Sequence, residues 1–298
     1  MGRISVVGFP SSAGSYAAGQ DLAPAALRAS GLIEALARAG LDINDEGDLP
    51  AQVWRPDREH PLAQNVSEVV AGLQLLSERL RPLFERGDRV LVIGGNCTIV
   101  LAVMAALGDN EPAGLAYFDR HYDLNTPSSA TDGALDWMGL AHGLALPDAI
   151  PELVAAFGRR PLLASSQIAW LGIEPEAATD WERLYAASLD LHVATSESLA
   201  AEPAAAASAA LRALPAGPLT VHLDVDVLDF TDAPLAENTD GRNTGPRLDQ
   251  LAIALEMVAR DPRMRALTIG ELNPTRSAGD PDALPRFIEV IARTLSHS

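Results

Sequence analysis

Cysteine is nearly absent. A single thiol, Cys97, in 298 residues excludes an internal disulfide and fits a reducing compartment. Positive charge is scarce as well: 22 lysine and arginine residues face 40 aspartates and glutamates, a formal net charge of −18. No basic cluster interrupts this field, which repels nucleic acid and anionic membrane, so neither is an expected partner. A cationic small-molecule substrate is the partner such a field attracts, although an acidic surface also serves plain solubility. No apolar stretch reaches the roughly 20 residues that span a bilayer. The opening segment, Met1-Gly2-Arg3-Ile4-Ser5-Val6-Val7-Gly8, enters a strand pattern with no secretory signature. A soluble, cytoplasmic chain is expected. Linkers, repeats and low-complexity boundaries are missing too, which predicts one domain over residues 1–298.

What is there is alternation. Hydrophobic residues make up 48% of the chain, and short β-branched runs trade places with Ala/Leu-rich stretches of helical period. Residues 4–7 read as a first strand, 24–39 as a helix closed at Gly40, and 66–86 as an amphipathic helix. Residues 89–93 form a buried strand ending in Gly94-Gly95, and a helix over 98–107 leads to a strand at 114–118. Further strands are predicted at 166–171, 219–224 and 266–270, with a surface helix at 204–213 and a closing helix at 284–295. This order argues for an α/β fold, a parallel sheet covered by helices on both faces. Ligands in that architecture sit beyond the carboxyl ends of the strands.

Two acidic segments fall at such ends: Asp119-Arg120-His121-Tyr122-Asp123 and Asp224-Val225-Asp226. In an extended strand, residues two apart project to one side. Asp119, His121 and Asp123 are therefore expected to face a space shared with Asp224 and Asp226. Four carboxylates repel one another strongly unless a cation lies between them. Oxygen ligands with one nitrogen suit a hard or borderline divalent ion, with Mn²⁺ the first candidate.

The four pieces Gly94-Gly95-Asn96-Cys97, Asp119-x-His121-x-Asp123-x-Asn125-Thr126-Pro127, Asp224-x-Asp226 and Gly270-Glu271-x-Asn273-Pro274 together resemble the ureohydrolase family of arginases, agmatinases and formimidoylglutamases. Gly19, Pro24, Leu27-Arg28, Gly31-Leu32 and Gly47-Asp48-Leu49 look like that family's opening helix and second strand. The resemblance implies an arginase-like three-layer α-β-α sandwich with a mostly parallel central sheet. It also implies Mn²⁺, one or two ions, and hydrolysis of a guanidino or amidino C–N bond by a hydroxide held on the metal. Homo-oligomers, trimers or hexamers, are usual in that family. Carried over by position, Asp119 and Asp224 look like carboxylates that bridge two metals. Asp123 looks like a ligand of the first metal that also orients the nucleophile, and His121 with Asp226 like ligands of the second. Glu271 resembles the acid that anchors the cationic end of the substrate, and Asn125 a contact to its far end.

Two departures matter. The family motif is Gly-Gly-Asp-His, with the histidine on the first metal; this chain has Asn96 and Cys97 there. Cys97 reads either as a thiolate ligand favouring another divalent metal, such as Zn²⁺ or Fe²⁺, or as a small buried hydrophobe. Arginases then carry Ser-Gly-Asn-Leu-His-Gly, where this chain has Asp132-Gly133-Ala134-Leu135-Asp136-Trp137. Asp136 thus stands where a proton-shuttling histidine is expected, and Asp132 where a substrate-reading serine is. Both also read as loop and helix-cap residues. The cysteine-for-histidine change resembles the branch that hydrolyses N-hydroxy-arginine. The alternative function is a catalytically silent relative with a binding or regulatory role. His222 shares strand parity with Asp224 and reads as a satisfied core residue, as does His142 on a helix. Residues 237–245 read as a polar, glycine-rich loop, equally suited to a rim of the site and to plain solvated surface.

Overall fold

The apolar runs become strands of one sheet. The structure, a computed structural model, describes residues 2–108, 110–130, 132–237 and 241–296. Among these, β1 (Ile4–Gly8), β2 (Ile43–Asp48), β3 (Arg89–Ile93), β4 (Gly114–Phe118), β5 (Ile168–Ile173), β6 (His192–Thr195), β7 (Leu219–Asp224) and β8 (Met264–Gly270) lie in the order β2-β1-β3-β8-β7-β4-β5-β6. Every neighbouring pair is parallel. The inner strands are buried on both faces, which is why they read as continuous rather than alternating apolar runs. The edge strands differ. β2, with Asp45, Glu46 and Asp48, and the short β6 are only half-buried, and charge on an edge discourages pairing with another chain.

Helices cover both faces and make three layers. Leu73, Leu76, Leu80 and Leu83 of the helix Val66–Glu85 pack with Ile99, Ala102 and Val103 of the helix Ile99–Leu107 over Val90 and Val92. On the other face the helices Leu32–Arg38, Pro203–Ala213, Leu248–Ala259 and Ala283–Ser296 close over Leu91, Ile93, Phe118, Leu171, Val221 and Leu267. Among the described residues no helix is long and apolar enough to cross a membrane.

Three expectations need correction. The single helix over 24–39 is two, Ala23–Ala29 and Leu32–Arg38, because Gly31 takes φ 89°, a left-handed conformation that ends one helix and begins the next. The strand expected at 166–171 starts later, at Ile168, since Ser165–Gln167 is a tight turn held by the Gln167 side chain on the Ala164 N–H, 2.8 Å. Strand parity also does not aim the acidic segments. β4 stops at Phe118, so Asp119 to Asp123 form a loop, and Val225–Val227 is a turn of 3-10 helix. The convergence comes from loop geometry.

Topology explains how four distant motifs meet. β3, β8, β7 and β4 are contiguous at the centre of the sheet. Their carboxyl ends deliver, side by side, the segments beginning at Gly94, Glu271, Val225 and Asp119.

Candidate metal centre and active site

After β3 the chain turns sharply through Gly94 (φ 92°) and Gly95 (φ 85°). A Cβ on Gly95 would lie 2.7 Å from both Phe9 and Ile99, so the turn admits no side chain there. Asn96 closes it, its Oδ1 accepting from the Thr98 N–H at 3.1 Å and the Thr98 hydroxyl at 2.5 Å. Cys97 is thereby buried under the other three loops. Its thiol donates to Asp224 Oδ2 at 3.1 Å and lies 3.7 Å from Asp119 Oδ2. Its backbone N–H donates to Glu271 Oε1 at 3.2 Å.

The loop after β4 is folded around its own acids. Asp119 Oδ1 accepts from the His121 N–H at 2.6 Å. His121 Nδ1 stands 3.1 Å from Asp226 Oδ2 and 3.5 Å from Asp119 Oδ1. Asp123 sits at φ 54° and Glu271 at φ 61°, left-handed conformations held by the surrounding packing. The Tyr117 hydroxyl donates to Asp123 Oδ2, and the Trp170 indole N–H donates to the Tyr122 carbonyl at 3.2 Å. Asp224 Oδ1 accepts from the Asp226 N–H at 2.7 Å. Glu271 Oε2 accepts from the Gln20 amide.

Electrostatics reports what this crowding costs. Burial first, then neighbouring carboxylates, pushes Asp119 up to about 6 and Asp123, Asp224 and Glu271 well above the usual range. The Cys97 thiol rises for the same reasons. Burial and then Asp132 raise Asp136 to about 7. Burial works against charge on Asp226 too, yet His121, with Arg120 and Arg242 beyond, holds it low. His121 is raised despite burial, by Asp226 and Asp119.

Two sets of ligand atoms, Cys97/Asp119/Asp224 and Asp119/His121/Asp123, each lie within 4.8 Å of one another and share Asp119. Asp226 Oδ2 is buried without a hydrogen-bond partner. That oxygen's near neighbour is the His121 imidazole at 3.1 Å, and four carboxylates around one imidazole are a charge imbalance that a divalent cation relieves. The residues fit such ions, the thiol-bearing set suiting a softer one and the imidazole-bearing set a harder one.

The residues expected from sequence do not all gather here. Cys97, His121, Asp123, Asp136, Trp137, Asp224, Asp226 and Glu271 line one small cavity, and Asp119 is buried beneath it. Asn125 stays outside, its Oδ1 accepting from Thr179 at 2.8 Å and Ser129 at 2.9 Å. Asp132 is exposed and caps the Ala134 N–H at 3.1 Å. His142 bonds the Met138 carbonyl from inside its helix, 2.5 Å, and burial lowers it to about 4. Of the rim loop, residues 238–240 lie outside the described residues.

His222 is more than a core residue. Its Nδ1 meets Thr268 Oγ1 at 2.6 Å, its Nε2 lies 3.4 Å from the Cys97 sulfur, and its ring stacks on Tyr117 at 4.7 Å. Sequence reasoning missed Tyr117, Gln20 and Ser15, whose hydroxyl accepts from the Gln20 amide at 3.2 Å and bonds Asp136. Tyr117 shares parity with Asp119 and could have been found that way; Gln20 lies 251 residues from the Glu271 it touches, and nothing local marks it.

Residues 2–285 match the model of the Arginase family. Arginase from Bacillus caldovelox is 29% identical over 178 residues, 58% of each chain. Arginase from Bacillus subtilis (strain 168) is 30% identical over 172 residues, 53% of this chain and 58% of that one. The chain thus spans under two thirds of the length of these relatives in sequence. In structure the likeness is complete: Bacillus caldovelox arginase superposes with a TM-score of 0.85 at 23% identity, covering 100% of this chain and 99% of that one. Proclavaminate amidino hydrolase from Streptomyces clavuligerus gives 0.71 at 19%, covering 100% and 91%. At such identities the superpositions speak to fold alone, and it is the family match over nearly all of the sequence, on this fold, that makes the chain a member of the arginase family.

Proposed function

We propose that the chain is a metal-dependent hydrolase of a guanidino or amidino C–N bond. One observation carries the reading: four buried carboxylates, an imidazole and a thiol converge over the central strands. Cys97, Asp119, Asp123 and Asp224 would hold one divalent ion, and Asp119, His121, Asp224 and Asp226 the other, with Mn²⁺ the first candidate. When bound, such ions neutralise the cluster and lower the pKa of a water molecule toward neutrality.

The chain's own residues supply the rest. Tyr117 fixes one oxygen of Asp123, leaving the other to orient the attacking water. Glu271, held by Gln20 and the Cys97 N–H, offers a carboxylate to the planar donors of a guanidinium. Asp136, poised at about 7, can hold a proton for the leaving amine. Trp137 stands edge-on to His121 at 4.9 Å and keeps water out on that side.

A modified arginine such as N-hydroxy-arginine suits this site better than arginine. An aspartate, Asp136, replaces the expected histidine on the cavity wall, and its carboxylate can accept a hydrogen bond from a hydroxyl on the guanidine. A cytoplasmic homo-oligomer belongs to the same reading. Purified chain loaded with Mn²⁺ should release hydroxyurea from N-hydroxy-arginine faster than it releases urea from arginine or agmatine, or formamide from formiminoglutamate. Inactivity on all four would sink the reading.

A second reading, a silent arginase-fold protein serving binding or regulation, has one observation behind it. The cavity holds only about 10 Å³, too little for a guanidino group unless a wall residue such as Trp137 shifts. Metal content separates the two: two ions per chain as purified supports hydrolysis, and none supports silence.

A further inference from the structure

One cluster beside the cavity is cationic, which is unexpected next to a site that would hold cations. Arg120, inside the acidic loop, donates to Glu174 Oε2 at 2.5 Å. Arg242, from beyond β7, reaches the same oxygen at 3.5 Å. Thr244 donates its hydroxyl to Glu174 Oε1 at 3.0 Å and accepts from Arg242 at 3.1 Å. The Glu174 N–H donates to the Arg120 carbonyl at 2.8 Å, so the carboxylate is anchored at both ends.

The other side of the cluster grips the backbone that carries Asp226. One nitrogen of Arg242 donates to the carbonyls of Asp226 and of Leu228, the latter at 2.7 Å. The first carbonyl lies within the 3-10 turn Val225–Val227 and the second just after it. The Arg120 N–H stands 3.5 Å from Asp226 Oδ1. Asp226 Oδ2 is left buried and without a hydrogen bond, next to His121.

We propose that Arg242, Glu174 and Arg120 form an ionic clamp that positions Asp226 for the second metal. They are positioning residues: none touches the cavity, and each acts through the Asp226 backbone or the loop that carries His121. Arginine suits the task because its rigid fork can satisfy two carbonyls and a carboxylate at once, whereas a lysine head on the same stem offers one point charge. Two guanidiniums against one carboxylate leave a net positive charge, and the buried Asp226 carboxylate beside them supplies the opposite sign. Partners of ligands that are lost in this way typically cost about 10–100-fold in metal affinity.

The inference rests on the metal-dependent reading, and the test separates the two. Mn²⁺ binding is measured by equilibrium dialysis and electron paramagnetic resonance on the wild-type chain, Arg242→Lys and Glu174→Gln, with thermal unfolding of the metal-free proteins checking that each folds. Glu174→Gln, the milder change, keeps the experiment decisive if Arg242→Lys fails to fold. Wild type should show the spectrum of a coupled Mn²⁺ pair. The variants should bind the weaker ion about 10–100-fold less tightly and give a mononuclear spectrum at the same loading. Unchanged affinity and an intact pair signal in a folded variant overturns the clamp and leaves the metal reading standing. No Mn²⁺ bound by wild type overturns both.

Discussion

At Cys97 two chemistries compete for one sulfur. The thiol donates to Asp224 while His222 Nε2 faces it from behind at 3.4 Å, and burial among four acids holds it protonated. A cation would reverse that balance, because a thiolate is the form that ligates metal. Cobalt makes the outcome visible. Co²⁺-loaded chain is expected to show a near-ultraviolet thiolate-to-metal charge-transfer band that Cys97→Ser lacks, with the affinity for Co²⁺ falling about 10-fold or more on the variant. A band that survives in Cys97→Ser would remove the sulfur from the coordination sphere.

The acids of the site were readable one residue at a time because each ends or closely follows a predicted strand. Asp136 was readable only as a departure from a pattern, and its burial beside the cavity came from the structure. Arg120, Glu174, Arg242 and Gln20 carried no signal: ionisable or amide residues in polar loops look like solvated surface until the fold brings them together.

Turns carry as much of the site as strands do. The two-glycine turn after β3 lets the backbone pass under Phe9 and Ile99 before delivering Cys97, and it leaves no room for a methyl group. Gly95→Ala must place a side chain at φ 85° and displace one of those neighbours. A loss of at least about 1–3 kcal/mol in metal-free stability is expected, read as a lower urea midpoint with an unchanged slope. Metal affinity should fall with it, because the Cys97 N–H and the Glu271 carboxylate are registered by the same turn. A midpoint equal to wild type would show that the turn relaxes freely.

At this scale the sequence was legible where periodicity was long and unbroken, as in the helix Val66–Glu85. It misled where one glycine interrupts a helical run, at Gly31. It was silent at β6, four half-buried residues whose strand exists only through pairing with β5. Strand parity brought the right acids together by an argument the loops do not obey. The acids follow strands, but the left-handed Asp123 and the 3-10 turn at Val225–Val227 do the aiming.

For the molecule as a whole, the site is a store of pH-dependent instability. Asp119 at about 6 and Asp136 at about 7 stand above the ordinary 3.8, and Asp123, Asp224 and Glu271 are displaced the same way. A carboxyl whose pKa is higher folded than unfolded binds its proton more tightly in the native state. The metal-free chain therefore has this contribution in full below about pH 4 and loses it as pH rises through about 7. His121, also raised, adds to the same trend; His142, lowered by burial to about 4, and His222, lowered to about 3, oppose it below about pH 6.5, and Asp226, held low, acts only at more acid pH. Melting of the metal-free protein is expected to fall by several degrees between about pH 5 and pH 7.5. Added Mn²⁺ should raise it most at the upper end, where fewer protons must be displaced. A melting temperature that climbs with pH in the chelated protein would contradict this.

The order of the strands also sets when the site can exist. β3 and β4 follow each other in the chain, yet β8 and β7 stand between them. A growing chain that has made residues 1–218 holds Cys97, Asp119, His121 and Asp123 on two strands with an open gap between them. Only when residues 219–271 are synthesised and two strands slide into that gap do Asp224, Asp226 and Glu271 arrive. Until then the chain offers an ion only the ligands on the β3 and β4 loops, and capture by the full constellation reports that the centre of the sheet has closed.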